Sequence, residues 1–139
     1  MARGATGVGV GDSREVVLVE GLTRTRIVQY AGASGDYNPL HTDEVFATEV
    51  AGFPSVFAHG MLTMGMTGRV LTDWFGVERL KAYGARFVGQ VWPGDTLTAS
   101  ATVTALREEE GVPIADLRVV TRNQRGEEVL RGTATARLG

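Results

Sequence analysis

The chain contains no cysteine, which excludes disulfides, thiolate chemistry and cysteine-based zinc sites. It has no excess of positive charge. Lys and Arg number 14 against 16 Asp and Glu, the formal net charge is −2, and no basic cluster is interleaved with aromatic residues. Nucleic acid is therefore not an expected partner. Long apolar runs are also missing. The longest, Met61 to Phe75, is too short to span a bilayer and carries Arg69 and Asp73. Behind Arg3, the glycines at 4, 7, 9 and 11 interrupt any signal-peptide core, so a cytoplasmic protein is expected. Histidine occurs only as His41 and His59.

What is present is enough for one globular domain with a sizeable core: 139 residues, 43% hydrophobic and 22% charged. Residues 1–12 are glycine-rich and expected to be mobile up to a turn at Gly11-Asp12. Their Gly7-x-Gly9-x-Gly11 run has neither the preceding strand nor the spacing of a dinucleotide loop. Glu15 to Glu20 reads as a strand. Thr23 to Ala33 reads as a helix, capped by Thr23 or Thr25, with Ile27, Val28, Tyr30 and Ala31 on its inner face.

The organising stretch follows, Ser34-Gly35-Asp36-Tyr37-Asn38-Pro39-Leu40-His41. Asn38 suits an N-cap and Pro39 a first helical position, so the stretch predicts a second helix continuing to Val50 and stopped at Ala51-Gly52-Phe53-Pro54. His41 would then sit in its first turn, where the helix dipole disfavours imidazolium and keeps a neutral base available. Asp36, freed by Gly35 to turn back, would bring a carboxylate to that imidazole. Blander readings have Asp36 capping a turn and His41 on a helix surface. A Ser34-Asp36-His41 hydrolytic triad lacks elbow glycines around Ser34, and His41, Asp43 and Glu44 lack a spacing that would converge on a metal.

In the stretch from His59 to Gly76 apolar residues surround nearly the whole circumference of a helix, implying enclosure on most sides. Its internal glycines would weaken it by about 1 kcal/mol each relative to alanine, so packing must hold it, and a sheet pressed close would explain them. Gly76 is a natural stop. His59, at the helix start, is expected to pack or hydrogen-bond rather than react. Beyond Leu80 the period becomes two. Tyr83, Ala85 and Phe87 mark one strand; Leu97, Ala99, Ala101, Val103 and Ala105 mark another after a Trp92-Pro93-Gly94-Asp95 turn. Leu117, Val119 and Thr121 mark a third, and a hairpin at Asn123–Gly126 leads to a last strand with Leu130, Gly132, Ala134, Ala136 and Leu138 on one face. A buried helix followed by antiparallel strands that curl round it is an α+β hotdog arrangement, whose open sheet edges call for a second copy or a homologous subunit.

The run Tyr30 to Asp43 resembles the signature of the MaoC-like (R)-specific enoyl hydratases, and Ala58-His59-Gly60-Met61-Leu62 and Trp92-Pro93-Gly94-Asp95-Thr96-Leu97 match the same family. Within it the chain is most similar to the catalytic beta subunits of heterodimeric (3R)-hydroxyacyl-ACP dehydratases of type II fatty-acid synthesis, through Ala58 to Gly65. The resemblance implies one hotdog domain over residues 1–139, no metal or other cofactor, and reversible syn addition of water to a trans-2-enoyl thioester carried on CoA or ACP. It implies a homodimer or a heterodimer with a homologous hotdog subunit, and it matches Asp36 and His41 to the catalytic pair. Such chemistry develops enolate charge on the thioester oxygen, and the Gly60 backbone N–H at a helix start is the candidate donor. Asn38 and Ser34 are supporting residues. Two rival readings are an acyl-thioester hydrolase on the same scaffold and a subunit active only with its partner. The methionines at 61, 64 and 66 are expected in the core or in the wall of an acyl tunnel.

Overall fold

A computed structural model describes residues 7–139; the expected mobility of residues 1–6 lies outside the described residues. Residues 9–12 are tied down. The Asp12 N–H donates to Gly9 O at 3.0 Å, closing the expected turn, and Gly11 N–H and Val103 N–H bond across to Val103 O and Asp12 O.

Strand β1 (Ser13–Val19) leads to helix α1 (Arg24–Ser34), a short π-helical turn (Phe46–Val50), helix α2 (Gly60–Phe75) and a 3₁₀ turn (Val77–Arg79). Strands β2 (Leu80–Phe87), β3 (Leu97–Glu109), β4 (Val112–Arg122) and β5 (Glu128–Arg137) complete the chain. They form one antiparallel sheet in the order β1-β3-β4-β5-β2. The alternation seen in the sequence sets its inner face: Leu97, Ala99, Ala101 and Val103 of β3, Leu117 and Val119 of β4, and Ala134 and Ala136 of β5 are all buried. A bulge between Val103 and Ala105 ends the strict period, so Ala105 is only half-buried. Gly132 is required where β5 meets β2, because a methyl there would stand 2.3 Å from the Gly84 carbonyl oxygen.

Helix α2 lies in the curve of this sheet, against β1, β2, β3 and β5. Leu62, Thr63, Met66, Thr67, Val70, Leu71 and Phe75 form its buried stripe at helical spacing. The Thr67 and Thr121 hydroxyls bond at 2.6 Å and fasten it to β4. This is the hotdog arrangement expected from the sequence. Enclosure on most sides is not observed, however. Met61 is 56% exposed, and Gly65, Arg69 and Asp73 share the open side, because one sheet has only one concave face to offer. The glycine expectation changes with it. Gly65 has nothing within 4 Å of an added methyl, and Gly68 meets only the Tyr83 ring of β2 at 3.6 Å, an ordinary contact, so neither position requires glycine.

Helix α1 starts where expected: the Thr23 hydroxyl accepts the Arg26 N–H at 3.1 Å. It ends at Gly35, whose left-handed backbone (φ 78°) aims its N–H at Ala31 O. Ile27 and Ala31 are buried and Tyr30 half-buried, but Val28 is exposed. The Trp92–Asp95 turn docks against the start of α1 through Leu22 N–H to Asp95 O and Gly94 N–H to Leu22 O.

Candidate active site

The segment after α1 is not a helix start. Ser34 Oγ accepts the Asp36 N–H at 3.2 Å, Asp36 Oδ1 accepts the Asn38 N–H at 3.2 Å, and Asn38 Oδ1 accepts the Leu40 N–H at 3.0 Å. Each side chain takes an amide two residues on, the local bonding by which Ser, Asp and Asn compete with helix formation. Asn38–His41 and Pro39–Thr42 then close as turns. One helix-type bond, Asp43 N–H to Pro39 O at 2.9 Å, closes a single turn here, and continuous helical bonding begins only after Asp43, whose carboxylate accepts the Phe46 N–H at 3.1 Å. Ser34 and Asn38 therefore shape the loop, and Asn38 does not cap a helix. His41 lies outside any helix dipole.

The loop nevertheless brings the expected pair together. Ligand-type atoms of Asp36, His41 and His59 all lie within 4.8 Å of one another. His41 Nδ1 is 2.7 Å from Phe57 O. A carbonyl only accepts, so Nδ1 carries the hydrogen and a neutral ring presents the lone pair of Nε2. Burial is the largest influence on this imidazole and lowers its pKa; the Phe57 carbonyl acts upward, His59 downward and Asp36 upward. Neutrality at His41 thus follows from desolvation and not from a helix dipole. Asp36 is exposed, as is the neighbouring Tyr37.

His59, expected to pack or hydrogen-bond rather than react, does both and is the structural centre of this cluster. It is 2% exposed, and its Nε2–H donates to Asp36 O at 3.0 Å, holding the loop from beneath. Its ring stacks on His41 with centroids 3.8 Å apart and meets the edge of Tyr30 at 4.9 Å. The signal available in the sequence was its place immediately before Gly60, which puts it at the mouth of α2. Three nearby ligand atoms raise the question of a metal. The two imidazoles are inclined by only 27° and stacked face to face, so their in-plane lone pairs run side by side and not toward one ion. Asp43 and Glu44 are engaged elsewhere, Asp43 with Phe46 N–H and Glu44 in an ion pair with Arg24.

Gly60 opens α2 next to His59, and its N–H is one of the first-turn donors that a helix leaves unpaired. A methyl on Gly60 would stand 2.8 Å from the Phe87 ring, so glycine is what lets that ring pack directly on the start of α2, whatever else the amide does. A cavity of about 390 Å³ borders Gly60, with Phe57, Thr63, Phe87 and Val91 among its walls. Asp36 and His41 do not line it; they stand at the loop that His59 and Phe57 connect to it. Met61 and Met64 belong instead to the open side of α2, together with Tyr30 and Tyr83, while Met66 is in the core.

The MaoC like domain family model matches residues 8–123. The chain belongs to the MaoC-like domain family. It is 34% identical to the (R)-specific enoyl-CoA hydratase of Aeromonas caviae over 119 residues, 81% of this chain and 83% of that protein. It is 46% identical over 68 residues to the 3-hydroxyacyl-thioester dehydratase Y of Mycobacterium tuberculosis, covering 47% of this chain but only 23% of that protein's length. Among solved structures, a chain of the ChsH1-ChsH2 complex from Mycobacterium tuberculosis superposes with a TM-score of 0.78 at 27% identity, covering 93% of this MaoC-like chain and 97% of the other. No helix among the described residues is long and apolar enough to cross a membrane.

Proposed function

We propose that this MaoC-like chain interconverts trans-2-enoyl thioesters and (3R)-hydroxyacyl thioesters by adding and removing water, with Asp36 and His41 as the catalytic pair. The observation that carries the reading is the convergence of the Asp36 carboxylate and the His41 ring within 4.8 Å, beside the start of α2. The names of the similar hydratase and dehydratase support the same class of reaction.

In hydration, a water molecule would donate its two hydrogens to two acceptors, Nε2 of neutral His41 and an oxygen of Asp36, leaving an oxygen lone pair directed at Cβ. As the C–O bond forms, one acceptor takes a proton from the water and the C=C electrons move through Cα to the thioester oxygen as an enolate. The proton is then delivered to Cα from the same face, and the thioester carbonyl reforms. Dehydration is the reverse: the α-proton leaves and the departing hydroxyl is protonated. The Gly60 N–H supplies a fixed donor to the thioester oxygen, where charge develops, and the α2 dipole acts in the same sense. Acyl-CoA and acyl-ACP are the two carriers that fit, and a cytoplasmic site of action goes with either.

A partner belongs to the proposal. The exposed Asp36 loop, the open side of α2 and the outer edges of β1 and β2, which pair with no further strand among the described residues, are surfaces that a second copy or a homologous hotdog subunit would cover. The ChsH1-ChsH2 complex is a precedent among similar folds.

Incubation with a trans-2-enoyl-CoA tests the reading. Loss of the enoyl double bond without release of free thiol is expected, and Asp36→Asn or His41→Ala should each cut turnover by about 10²- to 10⁴-fold while the protein stays folded. Thiol release would point to a hydrolase. Near-normal rates in either variant would reject the assigned pair.

A further inference from the structure

Thr63 is a buried polar residue with no assignment in the scheme above. It is 2% exposed, it lines the cavity that borders Gly60, and its hydroxyl has no hydrogen-bond partner among the described residues. A threonine inside a helix ordinarily returns its hydroxyl to the carbonyl one turn back. Here that carbonyl, His59 O, receives the Leu62 and Thr63 N–H groups at 3.1 and 3.4 Å. The contrast with Thr67, one turn further along the same buried stripe, is direct: Thr67 is paired with Thr121. Sheet residues therefore satisfy one buried hydroxyl of α2 and leave the other facing a cavity.

From this arrangement we infer that Thr63 is a second donor to the substrate's thioester oxygen, acting beside the Gly60 N–H; the inference rests on the hydratase reading. Residues three apart on a helix share a face, so the amide at Gly60 and the hydroxyl at Thr63 border the same space. The other unpartnered buried polar side-chain atom among the described residues is His59 Nδ1. With Nε2–H committed to Asp36 O, that nitrogen presents a lone pair and cannot stabilise an anion. The Thr63 hydroxyl can donate. The ligand chemistry that fits an N–H and an O–H at the positive end of a helix is an oxygen that gains negative charge, and the thioester oxygen does so as the enolate forms. Such a donor acts more strongly on the enolate than on the ground-state carbonyl, so its loss is read in kcat before KM.

Thr63→Val keeps the shape and removes the hydroxyl, whereas Thr63→Ser keeps the hydroxyl. In whatever assembly the protein forms, with trans-2-enoyl-CoA, Thr63→Val should lower kcat by about 10- to 10²-fold with KM within about threefold, and Thr63→Ser should stay near wild type. Isotope-edited infrared spectra of a bound ¹³C=O acyl-CoA give a readout independent of turnover. The carbonyl band should lie lower in wild type and Thr63→Ser than in Thr63→Val, or in Thr63→Ala should the valine variant fail to fold. Wild-type kcat in Thr63→Val, a change confined to KM, or an unmoved carbonyl band would each overturn the assignment of Thr63 while leaving the hydratase reading intact. A wild-type protein that neither binds nor hydrates enoyl thioesters would overturn both.

Discussion

His41 and His59 stack ring on ring, 3.8 Å between centroids, with one imidazole half-buried at the loop after α1 and the other wholly buried beneath it. Each donates a ring N–H to a backbone carbonyl, His41 to Phe57 and His59 to Asp36. The stack therefore joins the two segments that meet here, the loop after α1 and the approach to α2 from Phe57 to His59. It fixes the His41 tautomer from one side and the Asp36 backbone from the other.

Removing His59 should then damage the reaction without touching substrate. His59→Ala leaves Asp36 O without its donor and empties space under the His41 ring, for a destabilisation of about 2–4 kcal/mol in denaturant melts. Turnover should fall more than tenfold. His59→Gln, which can still offer an N–H toward Asp36 O, should recover part of the turnover and less of the stability, since the stacked ring is lost.

The His41 environment sets a pH dependence. Its pKa is lowered in the folded state, chiefly by desolvation. The unfolded chain, near the ordinary 6.5, therefore binds more protons than the folded chain once pH drops toward that value, and this group's contribution to stability declines as pH falls through the window below it. The same shift keeps the base neutral, so the acidic limb of the kcat/KM profile should turn below 6.5. A limb above that pH in the wild type would contradict the stated environment.

Gly60 and Phe87 should behave as a coupled pair. In Gly60→Ala the new methyl would stand 2.8 Å from the Phe87 ring, but that ring is 46% exposed and free to swing. Helix propensity favours alanine by about 1 kcal/mol, so stability should change by no more than about that amount. The displaced ring enters the cavity wall, and kcat/KM should drop at least about tenfold. Gly60→Ala combined with Phe87→Ala should restore part of it, and a double-mutant cycle on kcat/KM measures the coupling.

Two other glycines should respond in opposite directions. Gly132→Ala places a methyl 2.3 Å from a backbone oxygen that cannot move without breaking the β5–β2 pairing, so a loss above about 4 kcal/mol or failure to fold is expected. Gly65→Ala meets nothing within 4 Å and should raise the free energy of unfolding by up to about 1 kcal/mol. Chemical denaturation of both variants at fixed protein concentration decides the pair.

Much of the architecture was legible because it depends on short-range rules. The two-residue period of Leu97 to Val103 and the existence of the apolar helix after His59, though not which side of it is buried, follow from which side chains water rejects, and Thr23 and Gly35 bound α1 because each satisfies backbone groups locally. The Ser34–His41 loop was readable as a motif but not as a conformation. Asn38-Pro39 looked like the start of a helix running to Val50, but it closes only one turn, through Asp43 N–H to Pro39 O, while Ser34, Asp36 and Asn38 each take an amide two residues on. That competition is settled by the geometry of three successive turns, which composition does not encode.

The sequence by itself determined the alternation that builds the sheet, the helix that crosses it, and the presence of an acid and an imidazole in one short stretch. Only the tertiary structure decided that His59 would stack beneath His41, that Thr63 would be left without a partner where Thr67 found one, and that one side of α2 would stay open. These outcomes depend on distances between segments far apart in the chain, and a side chain's partner or desolvation is set by what folds over it, not by its neighbours in sequence.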